Sequence, residues 1–437
     1  MQNISDIFID NLYKIVQDGV PEEVREQARL CLIDYMACAM GGAKMMKAED
    51  ERFFETVALQ GGNVSIIGCE RKTTLHNAAF IQAMNVHATE LDDGHRLGMI
   101  HLGASIISAL LPVAEVELLP IDDVLTGVVV GYEAAIRAAM AMQPSHKVRG
   151  YHTSGTCGTI GSAIAIAAAM HLPMGRMKTA LSAATASAAG LLEMQEDESQ
   201  MKPFNLAQAA VGGITAAFAA KTGYVGPDDP IGGKRGLLAV MSENPNLESL
   251  QDFDTVPFEI MCIYRKPYAA CRHCHPAIEA ALWIKVSKGI QVSDIKTIDV
   301  DTYKLAVGGH DHTDIKGVAS AKLSTPFSVA LAMKNNSANL MDFNPETVKD
   351  PAILDLTKRV KVHVNEELTS WSPIRRAAIV KITTTDGKVF SHEVDYPKGE
   401  PENPMTKQEV IGKYQDMAAF LGIDSSNTCK YLKDILG

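Results

Sequence analysis

The sequence lacks the features that mark secreted, membrane-spanning or nucleic-acid-binding proteins. Its first eight residues contain no basic segment followed by an apolar run, so they predict no secretory signal. No apolar stretch approaches the roughly 20 residues that a bilayer requires. The best, Ala104 to Leu119, is interrupted by Glu115 and Glu117. A formal net charge of −11 disfavours nucleic acid and anionic membranes as partners, because both require a basic surface. We therefore expect a cytoplasmic protein.

Cysteine is also sparse and has no regular spacing. Eight cysteines are scattered over 437 residues, which is not the pattern of a disulfide framework. Hydrophobic residues make up 46% of the chain and charged residues 21%, as in ordinary globular proteins. Because a single core rarely grows beyond roughly 250–300 residues, this length predicts at least two domains.

The first part of the chain has the apolar spacing of successive helices. Pro21 opens one predicted helix, which the pair Gly41 and Gly42 is expected to end. Several segments are almost wholly small and apolar, which is typical of buried, closely packed helices. The clearest predicted helices cover residues 21–41, 77–86, 104–117, 124–142, 158–170 and 180–192. We predict a large all-helical domain over residues 1–258, completed by residues 400–437.

The pattern changes after about residue 256, where alternation with a period of two appears. The turn Asp386-Gly387 between two alternating segments is a strong hairpin signal. The predicted strands cover residues 295–303, 360–364, 378–384 and 389–394, and the predicted helices 276–288 and 324–334. Residues 259–399 are therefore expected to form a smaller α+β lid domain, which makes the whole chain mainly α. We expect an active site in the cleft between the two domains.

The densest group of titratable residues lies between His87 and Gly103. It contains three histidines, three carboxylates and one guanidinium: His87, His95, His101, Glu90, Asp92, Asp93 and Arg96. The apolar helices on either side would draw this group into the interior, where carboxylates and imidazoles shift one another's pKa. Such a group suits proton transfer. The alternative is a polar helix end with solvated charges and one capping Asp.

Two further segments contain candidate residues for catalysis or for binding a carboxylate. The segment Gly150–Thr159 contains one histidine, His152, and places Gly155 and Thr156 at a helix N-terminus, where backbone amides can hold a carboxylate. It is neither a dinucleotide fingerprint nor a phosphate loop, and glycine-assisted capping is the alternative. Lys202 follows an acidic segment and precedes an amphipathic helix, so it can neutralise a carboxylate or remain solvated.

A third group, Cys271-Arg272-His273-Cys274-His275, precedes the helix that begins near Pro276. Cys-x-x-Cys-His is the pattern of c-type haem attachment, but that attachment normally requires export. A zinc site from Cys271, Cys274 and a histidine lacks a second pair of ligands. The remaining interpretation is a polar helix N-terminus that presents Arg272, His273 and His275 to the cleft.

In the order of these motifs the chain resembles the MmgE/PrpD family, which includes 2-methylcitrate dehydratases, cis-aconitate decarboxylases and iminodisuccinate epimerase. The resemblance covers nearly the whole length. It rests on the segment His87–Gly103, on Gly-Tyr-Glu at 131–133, His-x-x-Gly-Thr-x-Gly at 152–158, Lys-Pro-Phe-Asn at 202–205, Gly-Lys-Arg-Gly at 233–236, Lys-Pro-Tyr at 266–268 and Ser-x-Pro-Phe at 324–327. It implies a helical domain with an α+β lid, a homodimer, and no metal or organic cofactor.

The resemblance also implies an active site similar to that of the family's decarboxylases. The matching positions here are Glu90, His101, His152, Lys202 and, in the lid, His275 or else His273. The sequence departs from the decarboxylases in having Glu90 for Asp, Gly94 for Thr and Leu102 for Pro, and in an inserted Asp-Gly-His-Arg. These departures concern the substrate and the reaction more than the pattern of charges.

We expect abstraction of a proton α to a carboxylate, with cationic groups neutralising the carbanion. His152 or His101 would be the base and His275 the acid, with Glu90 or Asp93 orienting an imidazole. Asp93, His95, Gly155, Thr156, Arg272 and His273 would bind the substrate. The expected function is a cofactor-independent lyase on a di- or tricarboxylate, most simply a 2-methylcitrate dehydratase. The alternatives are an epimerase, a decarboxylase or a non-catalytic carboxylate-binding protein.

Overall fold

A computed structural model describes residues 3–57, 61–195, 199, 201–256, 258–423 and 435. The chain divides into two compact units, one formed by residues 1–263 and 406–437 and the other by residues 264–405. Residues 400–437 were predicted to complete the helical domain, and the first unit contains helix Lys407–Leu421 from this segment. Cys429 lies outside the described residues. The mainly α class is confirmed, whereas the arrangement of a lid over a helical domain stays a prediction.

The first unit is built from helices around an alanine-rich core. Its α-helices in the described residues are α1 Ile4–Asp18, α2 Glu22–Met45, α3 Lys47–Val57, α4 Leu75–Ala88, α5 Gly103–Val116, α6 Ile121–Met142, α7 Ser145–Val148, α8 Thr153–Ala169, α9 Met174–Ser187, α10 Met201–Thr222, α11 Leu237–Met241, α12 Glu248–Gln251 and, after the second unit, α19 Lys407–Leu421. Every residue of α8 is buried, because α5, α6, α9 and α10 pack around it. The small side chains predicted for this segment allow that close approach.

Two predicted helix ends in this unit are wrong. Helix α2 continues through Gly41 and Gly42 to Met45. Gly42 is needed for close packing, since a Cβ there would lie 2.0 Å from the carbonyl oxygen of Asn85 in α4. Helix α9 ends at Ser187, not at residue 192, because Ala188 is extended and Gly190 has φ 145°. The unit is also not all-helical as predicted, because a short antiparallel hairpin of β1 Val64–Ile66 and β2 Cys69–Thr73 lies between α3 and α4.

In the part of the chain that the structure describes, one helix is long and apolar enough to span a bilayer by length and composition. It is α6, not the stretch 104–119 that the sequence suggested. Its apolar window is 94% buried inside the unit, which is also what a core helix shows. The expectation of a cytoplasmic location is not tested by this observation and stays a prediction.

The second unit contains a four-stranded mixed sheet. Its strands are β3 Ile295–Thr302, β4 Val360–Val364, β5 Ala378–Thr384 and β6 Val389–Val394, and its helices are α13 His275–Lys288, α14 Lys304–Val307, α15 Val318–Leu323, α16 Thr325–Asn335, α17 Pro351–Arg359 and α18 Glu366–Trp371. The strand order is β4-β3-β5-β6, with β3 and β4 parallel and the other pairs antiparallel. The predicted strands and the hairpin at Asp386-Gly387 are confirmed. Ser324 caps α16 as its sequence suggested, accepting a hydrogen bond from the backbone N–H of Phe327 at 3.1 Å.

Candidate active site

An ion pair joins the loop after α4 to the first turn of α10. The ammonium of Lys202 donates a hydrogen bond to Oε1 of Glu90, and the two side chains are only 16% and 12% exposed. Glu90 takes a positive φ of 52°, an uncommon conformation for a non-glycine residue and one found often at functional sites. Lys202 is therefore not the solvated lysine of the alternative interpretation.

His101 is held in a single tautomer. Its Nδ1 lies 2.8 Å from the carbonyl oxygen of Asp93. Because a carbonyl oxygen only accepts hydrogen bonds, Nδ1 carries the proton, and the neutral ring has its lone pair on Nε2. The backbone N–H of His101 donates to Oγ of Ser154 at 3.0 Å, which ties this loop to the start of α8. The side chain remains 16% exposed, so the ring is accessible to a small molecule.

His152, the residue just before α8, is held in the same tautomer by a different partner. Its Nδ1 lies 2.7 Å from Oδ1 of Asn205, and the amide group of Asn205 donates to the carbonyl of Ala189 at 3.2 Å, which orients the amide. Burial lowers the pKa of His152 to about 3, and the positive charge of Lys202 acts in the same direction. The hydrogen bond to Asn205 opposes this shift only in part. The imidazole is therefore neutral at physiological pH, with its lone pair on Nε2.

These contacts bring four of the five predicted catalytic residues together within the helical unit. Glu90 and His101 come from the loop between α4 and α5, His152 from the start of α8, and Lys202 from the start of α10. The charge of the Lys202 ammonium acts on His152, and the loop that carries His101 is tied to Ser154, two residues after His152. A cation together with imidazoles whose lone pairs are on Nε2 can neutralise a carboxylate and accept a proton from the carbon next to it.

Three residues that support this group, His87, Asp92 and Asn205, were not predicted from the sequence to have a catalytic or substrate-binding role. Nδ1 of His87 lies 2.7 Å from Oδ2 of Asp92, and both side chains are buried. The same Asp92 oxygen is 3.7 Å from Nδ1 of His101, and the rings of His87 and His101 are 4.9 Å apart. Asn205 orients His152. All three lie inside the motifs 87–103 and 202–205, but spacing along the sequence does not show which carboxylate or amide faces which imidazole.

Asp93 was predicted to contact the substrate or to orient an imidazole, and in the structure its carboxylate has two protein partners. Its Oδ1 accepts the backbone N–H of Gly103 at 2.9 Å and its Oδ2 accepts the hydroxyl of Tyr132 at 2.6 Å. Burial raises the pKa of Asp93 to about 6, against the lowering effect of these two hydrogen bonds. The carboxylate therefore anchors the start of α5. It is the backbone carbonyl of Asp93, not its side chain, that orients His101.

His95 and Thr156, both predicted to bind substrate, also face protein partners. Nδ1 of His95 accepts the N–H of Gly98 at 3.1 Å, and Nε2 lies 3.4 Å from Glu259. The hydroxyl of Thr156 lies 2.9 Å from Nε2 of His146. Both side chains are almost completely buried. Each side chain thus has a protein partner, and its contact with a substrate stays a prediction.

Gly155 makes room for a side chain instead of offering its amide to an anion. Its N–H already donates to the carbonyl of His152 at 3.0 Å. A Cβ at this position would lie 2.0 Å from Oδ1 of Asn205, the atom that holds His152. The glycine is therefore required by the contact between His152 and Asn205.

Two of the predicted lid residues, Arg272 and His275, belong to a hydrogen-bond network within the α+β unit. Arg272 donates to Glu400 at 3.0 Å, to the carbonyls of Lys398 and Pro397, and to Nδ1 of His275 at 2.9 Å. Nε2 of His275 lies 3.1 Å from the carbonyl of Ala270. Both ring nitrogens of this buried histidine are thus engaged, which disfavours its predicted role as the acid, and Glu400 compensates the charge of Arg272.

His273 is the more accessible of the two lid histidines. Its Nδ1 lies 2.6 Å from the hydroxyl of Tyr303, and its ring is partly exposed. The predicted contact of Arg272, His273 or His275 with a substrate stays a prediction.

Comparison with known proteins places the chain in a family of enzymes. Residues 12–250 match the MmgE/PrpD N-terminal domain and residues 268–430 match the MmgE/PrpD C-terminal domain. The chain belongs to the MmgE/PrpD family, as the order of its motifs predicted.

Several curated relatives are similar over most of their length. A cis-aconitate decarboxylase of Aspergillus terreus is 23% identical over 97% of this chain and 90% of the relative. A cis-aconitate decarboxylase-like protein of Aspergillus oryzae, oryM, is 24% identical over 95% and 90%. The cis-aconitate decarboxylase of Mus musculus is 23% identical over 78% and 71%. Family and relatives together support a lyase in general and leave the substrate open.

Proposed function

We propose that this protein is a lyase that acts on a di- or tricarboxylate by abstracting a proton α to a carboxylate, without a cofactor. The observation that carries the proposal is the pair of imidazoles, His101 and His152, each held with its lone pair on Nε2, together with the ammonium of Lys202, whose charge acts on His152. A proton α to a carboxylate is weakly acidic, so its removal requires both a base and a cation that stabilises the carbanion.

His101 is the better candidate for the base. It is more exposed than His152, and its tautomer is fixed by a backbone carbonyl. Asp92, 3.7 Å from Nδ1, stabilises the imidazolium that forms when Nε2 takes the proton. Burial keeps His152 neutral, so it serves as a hydrogen-bond acceptor toward a hydroxyl of the substrate.

Lys202 would neutralise the substrate carboxylate. An ammonium has three donors, and Glu90 engages one of them in this structure. Binding of the substrate therefore places a second carboxylate against a cation that already has one counter-ion. Glu90 holds the ammonium in position and reduces its attraction for anions that bind without reacting.

Dehydration of a 2-methylcitrate-like acid is our leading reaction. This chain differs from the decarboxylases at Glu90, Gly94 and Leu102, within the segment that supplies two of the proposed catalytic residues, and these differences disfavour the same reaction here. Decarboxylation of cis-aconitate is the second candidate, and the names of the relatives favour it. A homodimer in the cytoplasm, with no nucleic-acid or membrane partner, completes the proposal.

The test is incubation with 2-methylcitrate, citrate, cis-aconitate, trans-aconitate and iminodisuccinate, followed by NMR in deuterated water. A new alkene signal from a citrate-like acid supports dehydration, and release of carbon dioxide from cis-aconitate supports decarboxylation. Loss of optical activity without an alkene would indicate an epimerase. Binding of these acids with neither turnover nor exchange of the α-proton would contradict the proposal.

A further inference from the structure

A group of side chains that can ligate a metal lies within the α+β unit. Cys271, His273 and His310 each offer one ligand atom, and the three atoms lie within 4.8 Å of one another. All three residues are partly exposed. They come from two segments, the turn before α13 and the loop between α14 and α15.

The spacing is close to that of a tetrahedral zinc site. Sγ of Cys271 lies 3.9 Å from Nε2 of His310. Zinc bonds of about 2.3 Å to sulfur and about 2.1 Å to nitrogen, at a tetrahedral angle, place these two atoms about 3.6 Å apart. A shift of a few tenths of an ångström would therefore make this contact one edge of a coordination tetrahedron.

His310 already has the tautomer that a metal needs. Its Nδ1 donates to the carbonyl of Leu323 at 2.8 Å, so the lone pair of the neutral ring is on Nε2, the atom that faces Cys271. A backbone carbonyl that receives the second N–H of a ligating histidine is the usual outer partner at metal sites.

Backbone hydrogen bonds hold the two segments against the same junction. The N–H of Cys271 donates to the carbonyl of Lys322 at 2.8 Å, and the N–H of Thr325 donates to the carbonyl of His310 at 2.8 Å. Both ligand segments are thus fixed to the end of α15 and the start of α16. Little ordering of the chain is left for metal binding to cost.

Cys274 does not belong to this group, although its spacing from Cys271 suggested a ligand pair. Its side chain is buried, accepts the hydroxyl of Thr325 at 3.3 Å, and lies 3.8 Å from the carbonyl of Leu323. The ligand that the sequence did not reveal is His310, which lies 39 residues from Cys271.

We propose that Cys271, His273 and His310 bind one zinc ion, with a fourth position open to water or to an exogenous ligand. A thiolate and two imidazoles suit a borderline-soft divalent cation and disfavour Mg²⁺ and Ca²⁺, which require oxygen ligands. Binding releases the thiol proton of Cys271 to the solvent, and the sulfur–zinc bond forms in its place. The resemblance to a family that works without metal did not predict this site. The proposed zinc site does not depend on the proposed reaction.

The test measures zinc and cobalt binding to the full chain after treatment with a chelator. Zinc content after desalting, zinc affinity by competition with a chromophoric chelator, and the thiolate-to-cobalt charge-transfer band are compared for the wild type and the C271S and H310Q variants. The matched controls are C274S, H312Q and C262S. His312 lies two residues from His310 but contacts Ser320, and Cys262 is a partly exposed cysteine in the other unit.

We expect one zinc ion per chain and a charge-transfer band in the wild type and all three controls. C271S should lose the band, and both C271S and H310Q should lose more affinity than the roughly 10–100-fold cost of deleting an outer partner. A rise of melting temperature with zinc in the wild type, absent in folded C271S, gives a readout independent of activity. Unchanged zinc binding in C271S and H310Q, no binding by the wild type, or loss of binding in C274S alone would each overturn the proposal.

Discussion

Replacement of Lys202 by methionine tests how the carbanion is stabilised. Methionine keeps most of the length of the side chain and removes its charge. With an effective dielectric constant of about 20, an ammonium about 4 Å from the developing charge contributes about 4 kcal/mol. At about 1.4 kcal/mol for each factor of ten, the full effect is about 10³-fold in rate. Because Glu90 already compensates part of the charge, we expect kcat/KM to fall by about 10²- to 10³-fold.

Lys178 offers a matched control for this variant. It also pairs with a carboxylate, Asp6, in the helical unit, and its side chain is 23% exposed. Lys178→Met should fold as Lys202→Met does and keep wild-type turnover on whichever acid the substrate panel identifies. Steady-state kinetics and circular dichroism of both variants give the comparison. Equal turnover in Lys202→Met and the wild type, or equal losses in the two variants, would refute the electrostatic argument.

Three more predictions concern the partners of these residues. Glu90→Gln removes the counter-ion of Lys202, so we expect a lower KM for the acid and a kcat reduced less than tenfold in steady-state kinetics. A fall of about 10²-fold in kcat would show instead that Glu90 is a catalytic group. Gly155→Ala places a Cβ 2.0 Å from Oδ1 of Asn205 and should lower the free energy of unfolding by about 1–3 kcal/mol, as urea denaturation would show; an unchanged midpoint would contradict this packing. His152 has a folded pKa of about 3, below its ordinary 6.5, so its contribution to stability is present above pH 6.5 and is lost as pH falls toward 3. His152→Gln should therefore reduce the loss of stability on acidification, because one such histidine lowers the free energy of unfolding by about 1.4 kcal/mol per pH unit between these two pKa values. Urea denaturation of both proteins at pH 7.5, 6 and 5 measures this loss. An equal fall of the free energy of unfolding in the variant and the wild type would contradict the prediction.

The sequence predicted the secondary structure well where one local signal dominated. Alternation with a period of two located strands β3 to β6, and proline and serine located the start of α16. It failed where a distant contact decided the local structure. Gly42 was expected to end a helix, but its missing side chain admits the backbone of Asn85.

The candidate site shows the same limit. Residue types and motif order selected Glu90, His101, His152 and Lys202, which the structure brings together. They did not separate residues that face a substrate from those that hold the site. Asp93 and His95 are as polar as His101, yet both are almost completely buried against protein partners, whereas His101 is 16% exposed. That difference depends on the directions of side chains in three dimensions, which spacing along the chain does not encode.

The most direct test of the central claim is exchange of the α-proton in deuterated water, followed by NMR for the wild type, His101→Gln and the control His171→Gln. His171 is exposed and pairs with Asp123 at the surface. If His101 removes the proton, the wild type and the control will incorporate deuterium or form product from at least one acid of the panel. His101→Gln will be slower by about 10²-fold or more. Exchange at the wild-type rate in His101→Gln would contradict the assignment of the base, and binding without any exchange in the wild type would contradict the proton-transfer site itself.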